Sequence, residues 1–240
     1  MAWWESWFGE EYLELYPHRD DEHARREVDF ALDHLAPEPL PLLDLCCGSG
    51  RHSIPFAQRG FPPVGLDYSA PLLELARARA GRLSLVRGDM RRLPFADGVF
   101  RSVVNFFTSF GYFLAELDNV SVVTEVARVL QSGGRFLCDT FGIEHALARL
   151  VPEESRSTPD REYRIRRWWK EDTRRIEKEI EVRRGGSTEN FRESVRAYTA
   201  EELARMVEGA GLRVENLWGN FDGSPIGRDS PRLILLASKS

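Results

Sequence analysis

Cysteine is scarce in this chain: there are three in 240 residues, two of them adjacent at Cys46 and Cys47. That number and spacing build neither a disulfide framework nor a zinc site, and they point to a reducing, cytoplasmic setting. Long apolar runs are also missing, so no stretch reaches membrane-spanning length. The N-terminus holds Trp3, Trp4, Trp7 and Phe8 but is interrupted by Glu5, Gly9 and Glu10. Without a basic leader and a continuous apolar stretch it does not read as a signal peptide. Charge of one sign is lacking too. A net charge of -5 exerts no global pull toward nucleic acid or an anionic membrane. No His, Asp or Glu grouping has metal-ligand spacing. What remains is an ordinary globular composition, 42% hydrophobic and 30% charged, in a chain long enough for one α/β domain with an insertion.

The chain is organised around Pro41 to Asp67, PLLDLCCGSGRHSIPFAQRGFPPVGLD. Leu42 to Leu45 is a short apolar run, as in a strand buried on both faces. Gly48 and Gly50 then allow a sharp turn and close approach of a ligand to the backbone. Arg51 to Gln58 has helical character, with Gly60 as its C-cap. Phe61 to Leu66 starts a second apolar strand, and Asp67 stands at its carboxyl end, placed to accept hydrogen bonds from a ribose diol. Strand, glycine loop, helix, strand and acid make the mononucleotide-binding half of a doubly wound fold. A dinucleotide fingerprint needs a third glycine, and Ser53 stands at that position. Asp44 ahead of the glycines and the paired cysteines in the loop also argue against a pyrophosphate site.

Asp44-Leu45-Cys46-Cys47-Gly48-Ser49-Gly50 resembles motif I of the class I S-adenosylmethionine (AdoMet) methyltransferases, with Cys46 where a glycine often stands. Two further matches follow in register. Asp67, with Tyr68 after it, corresponds to the ribose-binding acid. Gly88-Asp89-Met90 corresponds to the element that closes over the adenine, Asp89 near the exocyclic amine and Met90 on the ring. The strand at about Arg101 to Asn105 carries Asn105-Phe106-Phe107 at its tip, where this family brings methyl donor and acceptor together. The prolines that nucleic-acid and protein amino-methyltransferases often carry there are absent. The resemblance covers Leu42 to Ser238 and implies an α/β, doubly wound, mainly parallel seven-stranded sheet with an antiparallel last strand. It implies AdoMet as cofactor, with Asp44, Cys46, Gly48, Ser49, Gly50, Asp67, Tyr68, Asp89, Met90, Asn105 and Phe106 at its site.

Around this frame, residues 1–36 read as an N-terminal helical cap, helical from Met1 to Leu35 with a break or kink at Pro17. Its aromatics pack on the core or on a second subunit, or else Tyr12, Tyr16 and Arg19 roof the cofactor and acceptor pocket. The AdoMet-binding domain then takes residues 37–153 and 199–240. Ser69 caps a helix with Pro71 in its first turn, Leu114 to Leu130 is another, and Gly133-Gly134 leads into a fifth strand, Arg135 to Asp139. Thr199 with Glu202 forms a capping box, and Leu212 to Trp218 and Arg232 to Ser238 close the sheet. Residues 154–198 break the alternating rhythm. Tyr163 to Trp169, Arg174 to Arg183 and Asn190 to Tyr198 read as three strands of an inserted antiparallel β-sheet lid. Ile176, Ile180 and Val182 share its dry face; Glu177, Glu179, Glu181 and Arg183 share the wet one. The insertion is expected to wall the acceptor site, with a dimer interface as the alternative.

The expected activity is methyl transfer from AdoMet to nitrogen or oxygen of a small-molecule acceptor, by a monomer or homodimer. The acceptor pocket would include Tyr12, Phe107, Tyr112 and Trp168. Alternatives are an RNA or protein methyltransferase of the same fold, or a noncatalytic AdoMet- or nucleotide-binding module. The sulfonium methyl is already activated, so proximity and desolvation are the main requirements. An amine acceptor need only be deprotonated, whereas a hydroxyl needs a general base. His18, His52 and His145 are the candidate bases. None is singled out, and His52, in the motif I loop, reads as a cofactor-positioning residue.

Overall fold

The computed structural model describes residues 2–16, 21–35 and 41–240. In chain order the first elements are α1 (Trp3–Trp7), α2 (Glu10–Leu15), α3 (Asp21–His34), β1 (Leu42–Leu45), α4 (Ser53–Gln58), β2 (Val64–Asp67), α5 (Ala70–Ala80) and β3 (Ser84–Arg87). They are followed by β4 (Phe100–Asn105), α6 (Glu116–Val129), β5 (Leu130–Phe141), α7 (Ile143–Ala148), β6 (Glu153–Ser157), β7 (Glu162–Lys170), β8 (Arg175–Arg184) and β9 (Ser187–Arg196). The chain ends with α8 (Ala200–Gly209), β10 (Leu212–Trp218) and β11 (Arg232–Lys239).

Seven strands form one sheet in the order β10-β11-β5-β4-β1-β2-β3. Neighbours are parallel from β5 to β3, and β11 runs antiparallel to both β5 and β10. This is the expected seven-stranded, doubly wound sheet with an antiparallel last strand. Side chains alternate across it, as a strand's two-residue period requires. Leu43, Leu45, Val103, Phe136 and Leu235 join the core under α6 and α8, while Leu42, Val104, Leu137 and Ile234 join the core under α3 and α4. Burial on both faces is why β1 carries apolar residues at consecutive positions, Leu42 and Leu43, as β4 does at Val103 and Val104. Chain order reverses between β1 and β4, so their carboxyl ends flank the crevice where ligands bind in such sheets.

Both caps read from sequence are formed. Ser69 Oγ accepts from Leu72 N at 3.2 Å, and Thr199 and Glu202 exchange bonds of 3.2 and 2.9 Å. Boundaries differ in several places, with β2 starting at Val64, β5 running from Leu130 to Phe141 and β9 from Ser187 to Arg196. The N-terminal segment is divided at Phe8-Gly9 into α1 and α2. On α6 it is Asn119, Val122, Val123, Val126, Ala127 and Val129 that are buried, while Leu114 and Leu117 before and on its first turn are 75% and 79% exposed. Residues 143–148, left unassigned by the sequence, form the short helix α7. Among the described residues no helix is long and apolar enough to cross a membrane.

The insertion is a separate antiparallel sheet of four strands, β6-β7-β8-β9, not three. β6 was missed because Glu-Glu-Ser-Arg-Ser has no apolar alternation; it is an exposed edge held by backbone pairing to β7. Its dry face is covered by α1 and α2: Trp7 and Leu15 pack with Tyr163, Ile165, Ile180 and Val182. Its expected wet face is not wet throughout. Arg175, Glu177 and Ser194 are 3%, 2% and 1% exposed. The Arg175 guanidinium donates to the carbonyls of Gly111, Tyr112, Phe113 and Ser194 at 2.7–3.1 Å and to Ser194 Oγ at 2.7 Å. Ser194 Oγ in turn donates to Glu177, which Arg192 also pairs. One buried cation thereby pins the inserted sheet onto the loop after β4. Beside it Gly111, at φ +92, lies so close to β9 that a Cβ would meet Arg196 O at 2.6 Å.

Gly111 O, Tyr112 O and Phe113 O each keep a second donor, Arg196 N, Trp3 Nε1 and Asn119 Nδ2, so removing the pin costs the charge-assisted hydrogen bonds themselves, each worth about 1.5–3 kcal/mol. Arg175→Met should therefore lower the unfolding free energy by at least about 2 kcal/mol, read as a lower urea midpoint at an unchanged m-value, and speed proteolytic cleavage within residues 153–196. A midpoint equal to wild type would show that the pin carries no stability.

Candidate active site

The crevice is built by two loops, one after β1 and one after β4. In the first, three residues in five have left-handed backbone: Cys46 (φ 63), Gly48 (φ 54) and Gly50 (φ 78). Cys46 adopts glycine's conformation at the position where the motif often has glycine. Its sulfur lies 3.4 Å from Met90 Sδ, and burial beside Asp67 and Asp44 raises its thiol well above the ordinary range. It is a packing group, not a nucleophile. Asp44 holds the loop from beneath, being 1% exposed and accepting from Ser53 Oγ at 2.5 Å. Burial pushes its carboxyl up to about 6. At the tip of β2, Asp67 accepts from Gly48 N and Ser69 N, both at 2.8 Å. Burial likewise raises it to about 6, with Asp44 adding to the effect. Each Asp67 oxygen retains a lone pair for a further donor.

The loop after β4 is strained. Phe107 and Thr108 both have left-handed backbone, φ 58 and 62, which costs a non-glycine residue roughly 1 kcal/mol or more. Asp139 holds them there. Its side chain accepts from Phe107 N at 2.8 Å and its carbonyl from Thr108 N at 3.0 Å. Arg232, reaching across from β11, donates Nε–H to Asp139 at 2.7 Å and a second bond through Nη2. Asn105 donates Nδ2–H to Leu45 O at 2.9 Å, tying the tips of β4 and β1 together. Its Oδ1 is buried and has no partner among the described residues.

Two openings share Tyr12, Cys46, Gly48 and Tyr112 in their walls. A narrow cleft of about 90 Å³ is lined by Asp67, Tyr68, Asp89 and Met90 and roofed by Trp4 and Phe8. A cavity of about 910 Å³ beside it reaches Tyr16, Ser49, Phe106 and Phe107 and is walled by the inserted sheet. The structure thus brings together most of the residues singled out from sequence. Asp44, Gly50 and Asn105 line neither opening and act through the loops. Arg19 and His18 lie outside the described residues. Trp168 is not in either wall: it pairs with Glu177, one residue out of phase with the cavity-lining Arg167, Ile176 and Lys178. The neighbouring positions in β7 were indistinguishable without the strand register. Asp89 is not free for a ligand alone, since Arg91 grips both its oxygens and holds its carboxyl down against the effect of burial.

Several residues at the site were not singled out from the sequence. Lys178 and Glu193, paired at 3.2 Å, face the cavity from the face of the inserted sheet that carries Ile176 and Ile180. Glu193 also accepts from Trp7 Nε1 at 2.6 Å and Tyr16 OH at 3.3 Å, joining α1 and α2 to the lid. Glu27, on α3, reaches the motif I loop and pairs with Arg51 and His52. Asp139 did have a signal: it is an acid at the carboxyl end of an expected strand, as Asp67 is.

Residues 42–134 match the family described as a methyltransferase domain. The protein YqeM of Bacillus subtilis, a methyltransferase by its name, is 26% identical over 97% of this chain and 96% of its own length. The dTDP-3-amino-3,4,6-trideoxy-alpha-D-glucopyranose N,N-dimethyltransferase of Streptomyces venezuelae is 28% identical over 89% of this chain and 92% of its own. The solved CcbJ methyltransferase of Streptomyces caelestis superimposes with a TM-score of 0.82 at 18% identity, covering 98% and 99% of the two chains. The chain is an AdoMet-dependent methyltransferase of the class I fold.

A pH dependence follows from Asp67. Its folded pKa stands at about 6 against an ordinary 3.8, so the folded protein holds this proton more tightly than the unfolded chain. The ionised carboxylate costs stability above about pH 6, and that cost fades as pH falls toward 3.8. Hydroxyl donors need the ionised form. Calorimetric titration should show AdoMet affinity level above about pH 6 and falling below it, with Asp67→Asn both weak and insensitive to pH. Affinity in the wild type that stays level down to pH 5 would exclude Asp67 from the contact.

Proposed function

We propose that this enzyme transfers the methyl group of AdoMet to nitrogen of a small-molecule acceptor. The observation that carries the reading is the cavity of about 910 Å³ joined to the narrow cleft, a volume typical of small-molecule sites. Tyr12, Tyr16, Phe107 and Tyr112 give it the dry aromatic wall that strips water from a nucleophile. The similarity to an amino-sugar N,N-dimethyltransferase along nearly its whole length supports nitrogen over oxygen.

The residues present fit AdoMet. Asp67 would take the ribose hydroxyls on its spare lone pairs, with Tyr68, Asp89 and Met90 around the adenine. Gly48 has nothing but Leu72 Cδ1, at 3.8 Å, where a Cβ would project, so the backbone lies open to close approach. The orphaned Asn105 Oδ1 is an acceptor awaiting a donor at the tip of β4. AdoMet supplies an electrophilic methyl; the protein's part is to hold it in line with the acceptor and keep water out. Trp4 and Phe8 line the cleft from the N-terminal segment, which is held there by Ser69 Oγ donating to Phe8 O and by the Trp4–Tyr68 contact.

The test is transfer of labelled methyl from AdoMet into separate pools of metabolites, RNA and protein. Label should enter the metabolite pool, and amines within it. Label confined to RNA or protein would overturn the reading. Asp67→Ala should weaken AdoMet binding by about 1–3 kcal/mol, the scale of lost charge-assisted hydrogen bonds, while the far-ultraviolet circular dichroism stays that of wild type.

A further inference from the structure

Across the switch point lies a hydrogen-bonded pair that joins α3 to the start of α4. His52 is the N-cap of α4, yet its side chain makes no capping bond. Its Nε2 instead lies 2.6 Å from Glu27 Oε2, which reaches over from α3. Arg51 donates to the same oxygen at 3.1 Å. Phe106, at the tip of β4, stacks on the imidazole at 4.3 Å between centroids and 19° between planes. The ring is 6% exposed, and His52 lines the larger cavity beside Phe106 and Phe107.

The charges around the pair decide its protonation. Burial works to raise Glu27, but the His52 bond and the charges of His52, Arg51 and Arg232 outweigh it and hold the carboxyl at about 2. Burial is the largest influence on His52 and lowers it below 6.5; Arg51 acts the same way, while Glu27 and Asp139 oppose. The pair is therefore a carboxylate beside a neutral imidazole at neutral pH. A neutral imidazole has one N–H, and a carboxylate at Nε2 places it there. The lone pair is left at Nδ1, which makes no hydrogen bond to the described residues.

We infer that His52, oriented by Glu27, is the base that receives the proton of the acceptor nitrogen. The inference rests on the amine reading above. Nδ1 takes a proton from the acceptor ammonium and frees the nitrogen lone pair, which forms the N–C bond as the S–C bond breaks with its electrons remaining on sulfur. The proton held by His52 then passes to solvent. Glu27 is a positioning residue: it fixes the tautomer and compensates the imidazolium that forms, as a buried carboxylate does for a catalytic histidine elsewhere.

Two measurements on the full chain test this. Nitrogen-15 correlation spectra of labelled histidine, with His52→Asn to assign the ring, should show a neutral Nε2–H tautomer at pH 7. An Nδ1–H tautomer, or an imidazolium at that pH, overturns the inference. Methyl transfer from AdoMet to a panel of nucleotide-linked amino sugars and simple primary amines is the second. His52→Gln should lower kcat about 10²-fold at neutral pH under saturating AdoMet, and recover as rising pH deprotonates the amine in solution. Glu27→Gln should lower kcat less and displace the acid limb of the pH profile. A kcat for His52→Gln equal to wild type, or a deficit that does not change with pH, overturns the base and leaves the amine reading standing. A wild type inert toward the whole panel overturns the amine reading and the base with it.

Discussion

The wall of the larger cavity depends on one buried guanidinium. Arg175 leaves the inserted sheet and ends among the carbonyls of Gly111, Tyr112 and Phe113. A guanidinium offers five donors in a rigid plane, and here a fan of backbone and hydroxyl oxygens receives them. The inserted sheet cannot slide over the Rossmann-like sheet without breaking the hydrogen bonds of a buried cation. Gly111 makes the fit close, because any Cβ there would collide with Arg196 O. The helices α1 and α2 then rest on the inserted sheet through Trp7, Leu15 and Tyr163. Lid and cap are one assembly, anchored at one loop.

Three ion pairs at the site join elements distant in the chain. Glu27 of α3 meets Arg51 and His52 of the first loop, Asp139 of β5 meets Arg232 of β11, and Lys178 of β8 meets Glu193 of β9. Asp44 and Asp67 differ: buried, and in no ion pair among the described residues, they sit near 6. Strain is stored at the same place, in the left-handed Phe107 and Thr108. Unfavourable groups of both kinds are gathered around the switch point, where ligand contacts can compensate them.

The fold is shared with methyltransferases at 16% identity, and the reason is visible in the sheet. In the proposed function its strands, glycine loop and terminal acid answer to the cofactor, which does not vary. The acceptor would meet other surfaces: the inner face of the inserted sheet, the aromatic helices, and the loop after β4. Fold and chemistry class can therefore persist while the acceptor changes.

How much was legible in the sequence follows the same division. The seven-stranded sheet, the motif I loop, Asp67, Gly88-Asp89-Met90 and both helix caps could be read because each is specified by neighbours along the chain: apolar runs, left-handed positions, side chains bonding two or three residues away. The inserted sheet was legible as strands wherever apolar residues alternated, and β6 was not, having none. Which residue of β7 faced the cavity was decided only by register, so Arg167 lines it and Trp168 does not. Glu177 read as a solvated charge until Arg192 and Ser194 were brought beside it. Glu27 and His52 are 25 residues apart, and nothing local to either announces the other. Local backbone preference and hydrophobic period determined the frame and the cofactor loop. The pairing of distant charges, which sets protonation and walls the acceptor, was decided by tertiary structure, because a buried charge is defined by what the fold places around it.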